Sequence, residues 1–376
     1  MKKILITGGA GFIGSNLTLK LSSNGYDVTI LDNLSPQIHT TNPNNSPLFK
    51  SIEGKAKFIE GSVVDQNLLK DILLDKDYII HLAAETGTGQ SMYEINKYVD
   101  INIGGTSKII QILQNFPNKV SKFIIASSRS IYGEGRYINK DGHYVYPSHR
   151  LDKDMKNKRF DLYDDNDKPL EVTSTSEDSK IHPSSIYGIT KQVQEQLVMT
   201  TLPLINIHPV SLRFQNVYGP GQSLSNPYTG ILSIFSNLIM NNKDINIFED
   251  GLESRDFVYI DDVTESILLA IKNKNSNNQV FNVGSGIPIN VMNVANKLNN
   301  LFDGKSQINI SGNYRLGDIR HNYACLKKIN KYIGYQPRVL FEDGLSKFVS
   351  WAKEVGPIKS DYNSSINEMK EKGLLK

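Results

Sequence analysis

Apolar positions along the chain fall into short β-branched runs separated by longer stretches with helical spacing. Residues 3–7 predict a strand, residues 15–24 a helix that stops at Gly25, and residues 27–31 a second strand. The alternation continues with a strand at 57–60, a helix at 67–74, a strand at 78–82, a long helix at 95–114 and a strand at 122–126. Strands joined through helices pair in parallel, so the pattern predicts a parallel sheet with helices on both faces. Ligands of such sheets lie beyond the carboxyl ends of the strands, which directs attention to residues 62–65, 83–90 and 127–133.

The link between the first strand and helix reads Gly8-Gly9-Ala10-Gly11-Phe12-Ile13-Gly14. Here Gly8 lets the chain turn sharply, Gly11 lets the backbone approach a pyrophosphate, and Gly14 lets helix and strand pack closely, with the phosphate at the positive end of the helix. The second strand runs into Asp32, where a carboxylate accepts hydrogen bonds from a ribose and repels a 2′-phosphate. The expected cofactor is NAD or NADP, with NAD favoured by Asp32 and that preference softened by Asn33. Strand, turn, helix, strand and acid in this order predict an α/β fold, a Rossmann-type doubly wound parallel sheet. Residues 1–205 are expected to form the dinucleotide-binding domain, with a polar insertion at 134–179. Residues 206–356 are expected to form a smaller C-terminal α/β substrate-binding domain, some segments returning to the first sheet, and 357–376 a polar, loosely ordered tail.

With 376 residues, 39% of them hydrophobic, the chain is long enough for one large core or two smaller ones. A net charge of +3, with Lys and Arg spread along the sequence, provides no basic track, so nucleic acid is not an expected partner. Cys325 is the single cysteine, so no intramolecular disulfide can form, no metal site is expected and a reducing cytoplasm fits. The N-terminal apolar stretch is too short for a secretory signal. The most apolar segment, 231–240, is interrupted by Ser and Asn and falls well short of the roughly 18 residues a membrane span needs. The expectation is a cytoplasmic protein without a membrane anchor.

Two later segments carry chemistry: Ser127-Ser128-Arg129-Ser130-Ile131-Tyr132-Gly133 after the strand at 122–126, and Ser185-Ile186-Tyr187-Gly188-Ile189-Thr190-Lys191. Tyr187 and Lys191, four apart, share one face of a helix, so the ammonium can sit beside the phenol, lower its pKa and reach a ribose hydroxyl. A phenol so tuned exchanges a proton with a sugar hydroxyl near neutral pH, as hydride transfer at the same carbon requires.

Joined to the glycine turn, these residues resemble the extended short-chain dehydrogenase/reductase superfamily, in its sugar-nucleotide epimerase and dehydratase branch, from Lys3 to about Trp351. The resemblance implies a catalytic trio of Ser128, Tyr187 and Lys191. It implies cofactor contacts from Gly8, Gly11, Phe12, Ile13, Gly14, Asp32 and Asn33, with Ser62, Val63 and Asp65 towards the adenine. Leu82, Ala83, Ala84 and Asn102 stand where the branch lines the nicotinamide, together with Tyr187 and Lys191. Ser128, Asn216, Arg255, Arg315 and Asp318 would hold a nucleotide-sugar substrate, arginines suiting its diphosphate through forked donors. Arg320, at the end of its motif, is read equally well as a surface ion pair. The branch also pairs chains through two helices, here 93–114 and 185–200, so a homodimer is expected.

Dehydratases of the branch place an acid pair after the catalytic Ser or Thr, whereas Arg129 and Ser130 stand there in this chain, so a 4,6-dehydratase is not expected. The segment Ser127 to Gly135 with its insertion resembles enzymes acting at C4 of dTDP-6-deoxyhexoses in O-antigen and other surface polysaccharide precursor synthesis. Two reactions stay open. A reductase would convert dTDP-4-dehydro-6-deoxy-D-glucose to dTDP-D-fucose, and the sequence leans this way because the paired cysteines associated with rhamnose epimerases are missing. A nucleotide-sugar 4-epimerase, of the dTDP-L-rhamnose or UDP-hexose type, would use bound NAD, which Asp32 favours. A non-catalytic dinucleotide sensor is a further alternative, opposed by the intact trio. The insertion is expected to be a solvated excursion beside the site.

Overall fold

The computed structural model describes residues 1–39, 42, 46–228, 230–359 and 362–376. Seven strands, β1 (Lys3–Thr7), β2 (Asp27–Asp32), β3 (Lys57–Glu60), β4 (Tyr78–His81), β5 (Lys122–Ser128), β6 (His208–Phe214) and β7 (Gln279–Val283), form one sheet in the order β7-β6-β5-β4-β1-β2-β3. All neighbours are parallel. Side chains alternate across a strand, so β1 sends Ile4 and Ile6 into one core and Leu5 into the other. The first core is covered by α1 (Phe12–Ser23) and the second by α2 (Gln66–Leu73), α3 (Gly105–Asn115) and α4 (Ile186–Thr201), with α5 (Ile260–Lys272) returning to the first. Burial on both faces explains why the strands read as continuous apolar runs rather than alternating ones.

Strand β1 lies between β2 and β4, so the winding reverses there and opens a crevice beyond Thr7 and His81. The helix predicted at 95–114 is interrupted: α-helix over Ile95–Tyr98, a π-helical stretch over Val99–Gly104, then α3. The wider turn accommodates Asn102, whose buried amide accepts from the Glu85 backbone N–H at 2.8 Å and donates to Thr190 Oγ1 at 3.0 Å.

A second, smaller sheet joins Asn216–Tyr218, Ser254–Tyr259, Pro288–Asn290 and His321–Asn322. Helices Ile231–Met240, Val291–Leu301 and Phe341–Val355 pack on it around Phe257, Tyr259 and Phe348. No helix among the described residues is long and apolar enough to cross a membrane.

Two expectations need correction. The insertion is not a solvated excursion: Tyr137–Ile138 pairs with Tyr144–Val145 and Glu171–Val172, and Met155 and Phe160 are buried with Tyr314. Its polarity comes partly from charges satisfied inside, since Glu134 is 1% exposed, beside Arg150, which also pairs with Glu249. The tail is not loose either, because residues Tyr362–Glu371 form a helix, α6, and Leu375 bridges to Arg315.

One buried network joins the layers. Arg213 on β6 donates to Glu195 on α4 through Nη2 at 2.6 Å and Nε at 3.1 Å, and through Nη1 to Tyr132 Oη at 2.6 Å and the Glu177 carbonyl at 2.8 Å. Tyr132 in turn donates to Asn282 on β7 at 2.8 Å. Removing one partner leaves the other charge buried and unpaired. Arg213→Met is therefore expected to lower unfolding free energy by about 3–5 kcal/mol, read as a fall in the urea midpoint; an unchanged midpoint would refute the pairing.

Candidate active site

Beyond the carboxyl ends of β1, β2, β4 and β5 the two parts of the chain enclose a cleft of about 570 Å³. Gly8, Gly11, Phe12, Ile13 and Gly14 line one end of it. Gly8 has φ +70°, and a Cβ there would come within 2.7 Å of the Ala83 nitrogen, while one on Gly14 would lie 2.2 Å from the Gly8 carbonyl oxygen. These contacts explain the two glycines: the turn can lie against the end of β4 only without side chains. The start of α1 has no side-chain cap, which leaves its first amides for an anion. Asp32 and Asn33 lie along the same wall, with Ser62 and Val63 beside them. The Asp32 carboxylate accepts from the Ala10 and Leu34 backbone N–H groups at 3.0 and 2.9 Å, which fixes its direction. Leu82, Ala83 and Ala84 complete the floor. Glycine cradle, uncapped helix start and fixed carboxylate fit a dinucleotide.

Two residues expected at the cofactor lie elsewhere. Asp65 is exposed and caps α2 by accepting from the Asn67 and Leu68 backbone N–H groups, and Asn102 is buried behind the cleft wall, holding Glu85 to α4. Neither lines the cleft. Capping is the local demand that an Asp before a helix meets most readily.

Ser128, Tyr187 and Lys191 converge on the cleft. Ser128 ends β5, and its Oγ accepts from Ser130 through the backbone N–H at 3.1 Å and the hydroxyl at 2.9 Å. Tyr187 sits in the first turn of α4, where Ser185 caps the helix and the Tyr187 N–H donates to Ser91 Oγ at 3.0 Å. Gly188 permits the approach, since a Cβ there would lie 2.7 Å from the Ser130 carbonyl oxygen.

Burial pushes the Tyr187 phenol up, while its hydrogen bond to Ser128 and the charge of Arg129 pull it back. Lys191 donates to the Ala126 carbonyl at 2.8 Å, and burial brings its ammonium down to about 7.

At the other end, Asn216, Arg255, Arg315 and Asp318 line the cleft. Asp318 takes Arg255 on one oxygen at 2.9 Å and Arg315 on the other at 2.8 Å, and the arginines hold it well below the usual carboxylate range. The terminal nitrogens of Arg255 also serve the carbonyls of Ser254, Ile319 and Arg320, whereas Arg315 Nε and Asn216 Oδ1 have no protein partner. Arg315 is therefore the arginine with donors to spare. Arg320 is neither at the surface nor in the cleft: it is 1% exposed and paired with Asp161, Glu249 and Asp250.

Several residues in or behind the cleft wall escaped the sequence as site candidates. Arg129 faces the cleft with no ion pair among the described residues, and burial brings it down to about 10. Arg150, from the insertion, donates to the Asp318 carbonyl at 2.9 Å and so steadies the arginine cluster. Tyr362, Ile366 and Met369 of α6 also line the cleft, and their i, i+4, i+7 spacing is the signal that could have found them.

A glycine turn on an open helix start, an acid ending β2 and a Ser-Tyr-Lys trio at the sheet's carboxyl edge define a dinucleotide-dependent enzyme of the short-chain dehydrogenase/reductase type. The chain belongs to the NAD dependent epimerase/dehydratase family, matching it over residues 4–150 and 161–284, with the break inside the insertion. It is 35% identical over 353 residues to a dTDP-L-rhamnose 4-epimerase from Burkholderia thailandensis, covering 93% of this chain and 94% of that one. It is 32% identical to a putative UDP-glucose 4-epimerase from Methanocaldococcus jannaschii, over 93% of this chain and 98% of that protein. A mutant UDP-glucuronic acid 4-epimerase from Bacillus cereus, solved with UDP-4-deoxy-4-fluoro-glucuronic acid and NAD, superposes with a TM-score of 0.77 at 26% identity, covering 94% of this chain and 99% of that one.

The buried ammonium generates a stability prediction. Between the folded value of about 7 and the ordinary 10.5, the unfolded chain binds a proton at Lys191 that the folded chain lacks. Wild-type stability therefore gains from rising pH across that window. Ligand-free Lys191→Met should show a higher urea midpoint than wild type at pH 7, with the gap closing towards pH 10.5; a gap independent of pH would contradict the burial.

Proposed function

We propose that the chain is an NAD-dependent nucleotide-sugar 4-epimerase acting on a dTDP-activated 6-deoxyhexose, interconverting dTDP-L-rhamnose and its C4 epimer in surface polysaccharide precursor synthesis. The observation that carries this reading is the convergence of Ser128, Tyr187 and Lys191 on one cleft that also holds the glycine cradle and Arg315. The 35% identity to a dTDP-L-rhamnose 4-epimerase over 93% of the chain supports epimerisation above the one-way reduction towards which the missing cysteines lean.

Cofactor contacts are assigned to Gly8, Gly11, Phe12, Ile13, Gly14, Asp32, Asn33, Ser62, Val63, Leu82, Ala83, Ala84, Tyr187 and Lys191, and NAD bound there supplies reversible hydride acceptance. Tyr187 takes the proton of the C4 hydroxyl as the 4-keto sugar forms and returns it after the sugar has turned to present its other face. Ser128 holds the C4 oxygen against that phenol. Arg315 and Asn216 grip the nucleotide diphosphate and sugar, so the hexose turns while its carrier stays fixed. Arg255 and Asp318 set the position of Arg315. Arg129 and Ser130, standing where an acid pair would be, offer no carboxyl group for eliminating water. Ile95, Val99 and Ile189, exposed on the 95–115 run and α4, support pairing of two chains through these helices.

Incubation with dTDP-L-rhamnose and no added coenzyme should yield the C4 epimer by NMR. Stoichiometric coenzyme oxidation on dTDP-4-dehydro-6-deoxy-D-glucose, giving dTDP-D-fucose, would establish the reductase instead, and either turnover excludes a mere dinucleotide sensor. Tyr187→Phe should keep nucleotide binding and lose turnover on the order of 10²–10⁴-fold; near-normal turnover would remove the phenol from the mechanism.

A further inference from the structure

The C-terminal helix α6 lines the cleft through Tyr362, Ile366 and Met369, with Tyr362 beside Arg315 and Met369 beside the segment that holds the Tyr187 backbone. Met369, 5% exposed, lies against Gly89, where a Cβ would stand 3.3 Å from its sulfur. Gly89 belongs to the same one-turn helix, Thr88–Ser91, as Ser91, whose Oγ holds the Tyr187 backbone N–H. Tyr362, at the other end of the helix, lies near enough to Arg315 for its phenol to be lowered by that guanidinium, against the rise that burial causes. Ile366 lies one turn on from Tyr362 and also lines the cleft.

Two fastenings hold the helix there. Glu368 Oε2 accepts from Tyr93 Oη at 3.0 Å and Tyr228 Oη at 3.1 Å, with the two phenols 2.8 Å apart. Beyond Gly373 the chain pairs with the Arg315 segment: Leu316 N–H donates to the Leu374 carbonyl at 2.9 Å, and Tyr314 and Lys376 exchange backbone bonds at 2.9 and 3.0 Å. The helix is thus tied both to the loop beside the catalytic tyrosine and to the segment bearing the diphosphate arginine.

We propose that α6 is the specificity wall of the hexose pocket, with Ile366 and Met369 selecting sugars that carry a methyl rather than a hydroxymethyl group at C5. The proposal rests on the reading of the cleft as a nucleotide-sugar site, because a hexose joined to the nucleotide must lie between Arg315 and Tyr187. A C6 hydroxyl placed on a branched alkyl chain and a thioether leaves water without gaining a hydrogen-bond partner. Of the helix's polar groups, the Tyr362 phenol lies a turn away beside Arg315, and Glu368, outside the cleft lining, spends one carboxylate oxygen on the two tyrosines. An apolar pocket of this kind discriminates by about 10- to 100-fold against one added hydroxyl.

The test compares dTDP-L-rhamnose with dTDP-L-mannose, which differ only in the C6 oxygen, and dTDP alone, by calorimetric titration of the full chain carrying Tyr187→Phe to prevent turnover. That protein should prefer dTDP-L-rhamnose at least about 10-fold. Adding Ile366→Gln or the near-isosteric Met369→Gln should bring the preference close to one while leaving dTDP affinity unchanged. A preference missing from the parent, or retained in both folded variants, overturns the wall. A preference that disappears in the variants, combined with no epimerisation of dTDP-L-rhamnose by wild type, leaves the wall standing and overturns the proposed reaction instead.

Discussion

The buried pairing of Arg213 with Glu195 is the constraint on which the active-site geometry depends. Glu195 lies on the helix that carries Tyr187 and Lys191, and Arg213 reaches from β6 to Tyr132, at the end of the turn that begins after Ser128. A single guanidinium thereby sets the distance between the two carriers of the trio. Planarity matters, because Nε and Nη2 both meet the Glu195 carboxylate while Nη1 serves the phenol and a carbonyl. Lysine could supply the charge but not the angles.

The site also shows how charge is kept available in a place that disfavours it. Carboxylates are matched to arginines away from the reacting end, as with Asp318 and its two partners. Near Tyr187 the cations stand without carboxylate partners: Lys191 rests on one carbonyl, and Arg129 has no ion pair among the described residues. Burial lowers both, and their incomplete satisfaction lets them respond to an incoming oxygen or phosphate.

Much of this was legible in the sequence, for definite reasons. The central strands are short and buried on both faces, so β1 and β4 to β6 appear as largely apolar runs, and the predicted 3–7 coincides with β1; the edge strand β3, only half-buried, still coincides with the predicted 57–60. Glycines 8 and 14 are demanded by contacts under 3 Å, and sequence records such demands faithfully. The insertion was misread because Glu134 and Arg150 look like surface residues until their partners, about a hundred residues away in sequence for Arg150 and Glu249, are brought together. Asp65 was misplaced because an acid at a helix start serves either a ligand or the helix, and spacing alone does not separate the two. The tail was overlooked because a three-residue apolar stripe in a polar helix is faint without the surface it covers.

The sheet is completed from the second half of the chain, and this has a consequence for biogenesis. Strand β5, buried at all seven of its positions, is bordered by β6, which follows only after the insertion and α4, and beyond it by β7, which follows part of the second lobe. At a synthesis rate of roughly 5–20 residues per second, the nascent chain leaves the flank of β5 uncovered for several seconds. An apolar parallel strand with an open flank is an invitation to pair with another chain. The cofactor half therefore completes its sheet only once β6 and then β7 have been made.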